Sequence, residues 1–199
     1  RVGFAYDVRG LDAVVVTHAH TDHTGRIPVL AHLGSRAPVY ATPPTAELME
    51  LLWDDTLHVM EEDWEREKEW EPLYDAAAIH EAKRLVRAVE YGQEKQIAPG
   101  VTATFHDAGH ILGSSFIEIR ADGKTLVVSG DLGNRNVPIM HPTERLPAAD
   151  AVIIEATYGN QKHEDSRERS EKLQRVILET AQRRGTVLIP AFALERTQE

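Results

Sequence analysis

The stretch Thr17-His18-Ala19-His20-Thr21-Asp22-His23-Thr24-Gly25 decides which fold and chemistry we expect of this chain. It places three histidines and an aspartate within six residues, directly behind the apolar run that ends residues 11–16. Three consecutive valines close that run without alternating with polar residues, which is typical of a strand buried on both faces. Such a strand delivers the imidazoles and the carboxylate to the rim of a sheet, where ligand sites tend to lie.

Imidazole together with carboxylate is the donor mixture of a borderline metal such as zinc. His18 and His20 alternate, which suits an extended segment that projects both rings to one side. Asp22 and His23 follow the turn of the chain and can point at a second metal position. The alternative is a histidine-rich loop that binds no metal, but four ligand-type residues among six favour the metal site.

Composition indicates a globular protein, with 42% hydrophobic and 27% charged residues and no apolar run long enough to cross a membrane. The chain does not begin with methionine and ends within a predicted new helix, so we expect it to be part of a longer protein. The absence of cysteine excludes disulfides and thiolate zinc ligands. It also fits a reducing compartment, and we expect a cytoplasmic location.

The net charge of −10 argues against a surface that binds nucleic acid over its whole extent. Much of the excess lies in residues 61–71, where seven acidic side chains predict a solvated helical face. A polyanionic substrate would have to be held elsewhere.

The pattern of elements predicts an α/β fold in which a sheet layer is covered by helices. Strands are predicted at residues 11–16, 38–41, 101–106, 115–120, 125–129, 151–155 and 186–189. Those at 11–16, 125–129, 151–155 and 186–189 are predicted to be buried. Helices are predicted at residues 24–33, from the cap Thr42 onwards, within 61–90 and at 165–184. Asp122-Gly123 predicts a hairpin.

Residues 53–90 are predicted to form a helical insertion that covers one side of the domain. The expected apolar stripe of the helix that starts at the cap Thr42 is Leu48, Leu51, Leu52, Leu57 and Met60. Side chains expected to dock onto the core are Trp64, Trp70, Leu73 and Tyr74.

Two later strand ends offer further metal ligands. His110 lies between Gly109 and Gly113, where the backbone can bend sharply and point the ring inward. Asp131 follows a predicted buried strand and a glycine, and its two oxygens could bridge two cations. A histidine or aspartate beside a glycine at a strand end is more often a turn residue than a ligand. Together with the ligand-type residues at 17–25, however, His110 and Asp131 favour a metal site.

These residues, in this order, resemble the metallo-β-lactamase-fold hydrolases. The resemblance is sharper with their β-CASP nuclease branch, especially relatives of the endonuclease subunit of the cleavage and polyadenylation specificity factor. It rests on the ligand order and on residues 109–114, 129–134, 155–159 and 189–199. It implies an αββα sandwich, incomplete in this chain, with a partial hydrolase domain at residues 1–190 and the start of a β-CASP domain at 191–199.

The resemblance also implies a two-zinc site. One zinc would be held by His18, His20 and His110, and the other by Asp22 and His23, with Asp131 between them. Asp22 and Glu155 are the implied catalytic residues: Asp22 would orient the attacking hydroxide, and Glu155 would position a histidine beyond this chain that protonates the leaving oxygen. Another histidine beyond this chain would complete the ligands of the second zinc. We therefore expect the chain alone, residues 1–199, to be poorly active.

Glu155 ends an apolar run, and a buried carboxylate needs a partner. The alternative for Glu155 is an ordinary capping or salt-bridging role. The remaining histidines are expected to lie outside the metal site: His32, His58, His80, His106, His141 and His163.

The resemblance implies a zinc-dependent ribonuclease that acts in RNA processing or decay, with RNA as substrate and no membrane partner. The protein partners considered are a second copy of the chain and subunits of a processing complex. Endonuclease and 5′-exonuclease action both remain open. The alternatives are thioester or lactone hydrolysis on the same scaffold, a DNA nuclease of the same branch, and a non-catalytic assembly subunit, because fold alone does not fix the reaction.

Overall fold

The computed structural model describes residues 3–133, 139–161, 166–194 and 197, which form two β-sheets and their flanking helices after a short 3-10 turn. The elements in chain order are β1 (Val14–Val15), α1 (Thr21–Thr24), α2 (Ile27–His32), β2 (Val39–Ala41), α3 (Pro43–Glu67), α4 (Ala76–Leu85), β3 (Val86–Ala88), β4 (Lys95–Ala98), β5 (Val101–Asp107), β6 (Ser115–Ala121), β7 (Lys124–Val128), β8 (Ala151–Ile153) and α5 (Ser166–Gln182). The predictions made for Asn134, His163, the helix start at residue 165 and most of residues 195–199 lie outside the described residues.

The first sheet is parallel, with the strand order β1-β2-β3. All of β2 is buried: Val39 and Ala41 pack into the core shared with the helices, whereas Tyr40 packs into the core shared with the second sheet. The two residues of β1 divide in the same way, with Val14 on the helix side and Val15 on the sheet side. This two-sided packing explains why the valine run does not alternate with polar residues.

The second sheet has the strand order β4-β5-β6-β7-β8 and is antiparallel except for the parallel pair β7–β8. Asp122 and Gly123 join β6 to β7, and both have positive φ angles, of 50° and 71°. A two-residue hairpin turn of this kind favours such residues, so the hairpin prediction is confirmed. Helices, the first sheet and the second sheet thus form successive layers, consistent with the predicted mixed α/β class.

The helix α3 starts at the predicted cap, because the Thr42 side chain accepts a backbone N–H of its first turn. Its buried face includes Met49, Trp53 and Leu57, which follow one another at four-residue spacing. The predicted stripe is therefore wrong at Leu51, whose side chain is 63% exposed. None of the described helices is both long and apolar enough to span a membrane.

The segment at residues 61–90 is not helical throughout. The helix α4 ends at Leu85, and the next three residues form β3, which pairs with β2 and completes the first sheet. Among the side chains expected to dock onto the core, Tyr74 is buried, whereas Trp70 is 81% exposed and Leu73 is exposed as well. The helix predicted at residues 24–33 begins later, as α2 at Ile27, and a separate short helix, α1, precedes it within the histidine-rich stretch. Gly34, with a φ angle of 91°, follows α2 near its predicted end.

The strands predicted to be buried near the end of the chain differ from the structure. In β8, the last strand of its sheet, Val152 and Ile153 are 48% and 60% exposed. Residues 186–189 form no strand, and Leu188 is 86% exposed. An apolar strand is buried only when a layer covers each of its faces, and no described element covers these residues. The helix α5 matches its predicted span, but its apolar residues Leu173 and Ile177 are also exposed.

Candidate metal centre

His18 and His20 leave the end of β1 and enter the turn that leads into α1. His18 is fully buried, and its Nε2 lies 3.1 Å from Nδ1 of His20. The Thr24 hydroxyl donates to the carbonyl oxygens of Ala19 and His20, at 3.0 Å and 3.1 Å. These hydrogen bonds hold the strand-to-helix turn, so that both rings face one point.

His110 is held by a tight turn between β5 and β6. The Ser114 hydroxyl oxygen accepts the backbone N–H groups of His110 and Ile111, at 3.0 Å and 3.1 Å. The carbonyl oxygen of Gly113 accepts the hydroxyls of Thr42 and Thr45 at the start of α3, at 2.6 Å and 2.8 Å. The turn thereby places Nε2 of His110 3.3 Å from Nδ1 of His20, 90 residues away in the chain.

Asp131 follows β7, and its two carboxylate oxygens approach different imidazoles. Its Oδ2 lies 3.8 Å from Nε2 of His18 and 3.6 Å from Nε2 of His110. Its Oδ1 lies 3.4 Å from Nε2 of His23. One carboxylate oxygen therefore lies near His18 and His110 and the other near His23, an arrangement that suits a carboxylate shared by two cations.

The donor atoms of His18, His20, His110 and Asp131 lie within 4.8 Å of one another. In a tetrahedral zinc site with metal–nitrogen distances of about 2.0–2.1 Å, neighbouring donor atoms lie about 3.3 Å apart. The neighbouring separations in this cluster, 3.1 Å, 3.3 Å, 3.6 Å and 3.8 Å, are close to that value. The four side chains therefore fit a metal ion of zinc's size and donor preference.

The imidazoles of this cluster are held in the neutral form that binds metals. Burial, followed by the nearby rings of His23, His110 and His20, lowers the pKa of His18 to about 2. Burial is also the largest cause of the lowered pKa values of His20 and His110. Neutral rings keep a nitrogen lone pair free for coordination.

A second group of donors lies on α1. Nε2 of His23 is 3.5 Å from Oδ2 of Asp22 and faces Oδ1 of Asp131. The side chain of Asp22 is 79% exposed, whereas that of His23 is 29% exposed. Asp22, His23 and Asp131 could hold a second cation at the more open side of the cluster.

The structure places Glu155 against the turn that carries Asp131. Its carboxylate accepts the backbone N–H of Leu132 at 2.8 Å and that of Thr157 at 3.3 Å. Its own N–H donates to the Ser129 hydroxyl at 3.0 Å. Burial alone would raise the pKa of Glu155, but the N–H donors of Leu132 and Thr157 and the hydroxyl of Thr157 outweigh it, so the pKa is lowered. Glu155 thus stabilises the backbone next to Asp131 as a carboxylate.

The other described histidines lie outside the cluster. His106 stacks on Phe116, and its Nε2 lies 3.2 Å from the buried carboxylate of Glu118. His58 lies 3.2 Å from Glu62 on the exposed face of α3. Ser114, which supports the His110 turn, was not among the predicted site residues, and its only local signal is its place in the turn that follows Gly109 and His110. As predicted, none of the following described histidines belongs to the cluster: His32, His58, His80, His106 and His141.

Comparison with known proteins gives consistent matches over nearly the whole chain. A family model described as "Beta-lactamase superfamily domain" matches residues 4–184. The chain is 40% identical to ribonuclease TTHA0252 of Thermus thermophilus over 196 residues. This alignment covers 98% of the chain and 43% of the ribonuclease. It is 38% identical over 202 residues to the transcription termination factor FttA of Methanothermobacter thermautotrophicus, which covers 98% of this chain and 30% of that protein.

FttA of Thermococcus kodakarensis is similar to a comparable degree, at 37% identity over 195 residues, covering 95% of this chain and 29% of that protein. The chain spans less than half the length of each of these relatives. The similarity to a ribonuclease supports the predicted nuclease branch. Because the family model covers both sheets and every segment that supplies the clustered side chains, the chain belongs to the family of the beta-lactamase superfamily domain.

Proposed function

We propose that the protein carrying this chain is a two-zinc hydrolase that cleaves phosphodiester bonds of RNA. The observation that carries the proposal is the geometry of Asp131, one of whose oxygens lies near His18 and His110 and the other near His23. RNA as the substrate is supported by the 40% identity to a protein named a ribonuclease.

In this proposal, His18, His20 and His110 would hold one zinc ion, Asp22 and His23 would hold the other, and Asp131 would contribute to both sites. The spacing of the donor atoms and the lowered pKa values of the buried imidazoles support the first position. The contacts of His23 with both carboxylates support the second position. Zinc supplies Lewis acidity that polarises a phosphoryl oxygen and acidifies water.

The side chains of this chain then have separate tasks. Besides serving as a zinc ligand, Asp22 would orient the attacking oxygen and accept its proton, because its side chain is 79% exposed and within reach of a substrate. Glu155 keeps the Asp131 turn in place by accepting the N–H of Leu132. It remains a prediction that Glu155 also positions a leaving-group acid.

The same proposal extends to the whole protein. Residues 1–190 belong to the hydrolase domain, and residues 191–199 begin a second domain that helps to hold RNA. Residues 53–85 belong to the helical layer on one side of the hydrolase domain, whereas residues 86–88 belong to its first sheet as β3. A homodimer or a processing complex, and a cytoplasmic location, remain predictions.

The experiment compares zinc content and cleavage of single-stranded RNA in the intact protein and its variants. We expect His20→Ala and Asp131→Ala to lose zinc and to slow cleavage by at least about 100-fold, because losing a ligand costs more than losing a supporting contact. The matched control is His58→Ala, since His58 lies on the exposed face of α3 beside Glu62. It should keep both zinc and activity.

Two results would contradict the proposal in different ways. Unchanged RNA cleavage in the ligand variants, or after zinc is removed, would show that the cluster is not the active site. Hydrolysis of single-stranded DNA or of a thioester in preference to RNA, still dependent on His20 and Asp131, would keep the metal centre and reject the substrate class.

A further inference from the structure

Thr17 stands at the point where the three ligand-bearing segments meet, although it is not itself a ligand. Its hydroxyl oxygen lies 3.1 Å from Nδ1 of His18. Its carbonyl oxygen accepts two hydrogen bonds from Ser115, from the backbone N–H at 2.7 Å and from the hydroxyl at 3.0 Å. On its other side lies Gly130, the residue before Asp131.

The contact with His18 decides which ring nitrogen can bind a metal. Nε2 of His18 faces the cluster, 3.1 Å from His20 and 3.8 Å from Asp131. Nε2 has a free lone pair only when Nδ1 carries the proton, and a buried N–H needs an acceptor. His18 is fully buried, and the hydroxyl oxygen of Thr17 lies where that acceptor is needed. In the opposite tautomer Nε2 would carry the proton and could not coordinate.

We propose that Thr17 is a positioning residue of the metal centre: its hydroxyl oxygen accepts the Nδ1–H of His18 and thereby fixes the ring with Nε2 towards the metal. This inference rests on the metal centre of the proposed function, but not on RNA as the substrate. Ligating histidines generally need such a partner on the second ring nitrogen.

The surroundings of Thr17 fix its hydroxyl in place. The two hydrogen bonds from Ser115 anchor its backbone to the first residue of β6, just after the His110 turn. A Cβ added to Gly130, which has a φ angle of 54°, would lie 2.6 Å from Cβ of Thr17. The β-branched side chain is stiff about χ1, so this packing holds the oxygen beside His18. The same contacts connect the positions of His18, His110 and Asp131.

The test measures Zn²⁺ affinity of the intact, metal-free protein in two matched pairs, Thr17→Val against wild type and Thr17→Ala against Thr17→Ser. Within each pair the main difference is the hydroxyl oxygen. We expect Thr17→Val and Thr17→Ala to bind Zn²⁺ about 10–100-fold more weakly than their partners. Thr17→Ser should remain close to wild type. Co²⁺ spectra should show altered coordination in the two variants without the hydroxyl and unaltered coordination in Thr17→Ser.

Thermal unfolding of the metal-free proteins identifies any variant that fails to fold. If Thr17→Val does not fold, the comparison of Thr17→Ala with Thr17→Ser decides the test. Equal Zn²⁺ affinity and equal Co²⁺ spectra within a folded pair would overturn the inference. Equal weakening in Thr17→Ser and Thr17→Ala would also overturn it, because packing of the methyl group would then be the cause. If wild type itself binds no Zn²⁺, the proposed function fails, which is a different result.

Discussion

At the scale of single residues, the centre depends on imidazoles that are buried without charge. His18 shows this most strongly, because burial and three neighbouring rings lower its pKa to about 2. In the unfolded chain the pKa of a histidine is about 6.5. Between these two pH values the unfolded state binds more protons than the folded state, so acid favours unfolding of the metal-free protein.

We therefore expect the free energy of unfolding of the metal-free protein to fall as the pH is lowered below about 6.5. His18 alone should contribute a loss of about 1.4 kcal/mol between pH 7.5 and pH 5.5. Urea unfolding of wild type and His18→Asn at both pH values measures this contribution. Stability should depend less on pH in His18→Asn, and an equal dependence in the two proteins would contradict the account of His18.

The metal-binding side chains could be predicted from residue types, because residues 17–25, His110 and Asp131 supply the imidazoles and carboxylates of the site. The hydrogen bonds that hold these side chains in place could not be predicted in this way. The bond between Thr17 and Ser115 joins residues 98 positions apart, and Glu155 meets Leu132 across 23 positions. Such pairs depend on how β1, β6, β7 and β8 align, which no local pattern determines.

At the scale of elements, ligand positions depend on turns that are closed by backbone contacts. Gly113 has a φ angle of 81°, and a Cβ at this position would lie 2.5 Å from the backbone nitrogen of Thr45 at the start of α3. The His110 turn therefore lies directly against the helix α3. Any side chain at Gly113 would have to displace one of the two.

We expect Gly113→Ala to destabilise the protein by about 1–3 kcal/mol more than a glycine substitution that meets only backbone strain. Gly100→Ala is the matched control, because Gly100 has a φ angle of 71° and open space around it. The control should cost about 1–2 kcal/mol. Urea unfolding measures both costs, and Zn²⁺ affinity should fall only in Gly113→Ala. Equal costs with equal affinities would show that the turn does not hold His110.

Element types were predictable where the local signal was strong, as at the Asp122-Gly123 hairpin and the Thr42 cap. Burial was less predictable. The apolar residues 151–154 indicated a strand covered on both faces, but β8 is the last strand of its sheet, and both its Ile153 and the following Ile154 are exposed. Hydrophobicity shows that a segment can be buried, whereas its partner in the fold decides whether it is.

At the scale of the whole molecule, the centre lies where the two sheets meet. The parallel sheet contributes His18 and His20 after β1, and the second sheet contributes His110 before β6 and Asp131 after β7. The hydrogen bonds between Thr17 and Ser115 join the sheets at this place. Neither sheet holds a complete ligand set, so the centre requires the layered fold.

The central claim is a pair of zinc ions bridged by Asp131. Anomalous X-ray diffraction at the zinc absorption edge, from crystals of the intact protein grown with zinc, tests it most directly. The account predicts two peaks on opposite sides of the Asp131 carboxylate, one among His18, His20 and His110 and the other beside His23. A map with no peak between these side chains, or with zinc bound only elsewhere, would contradict it.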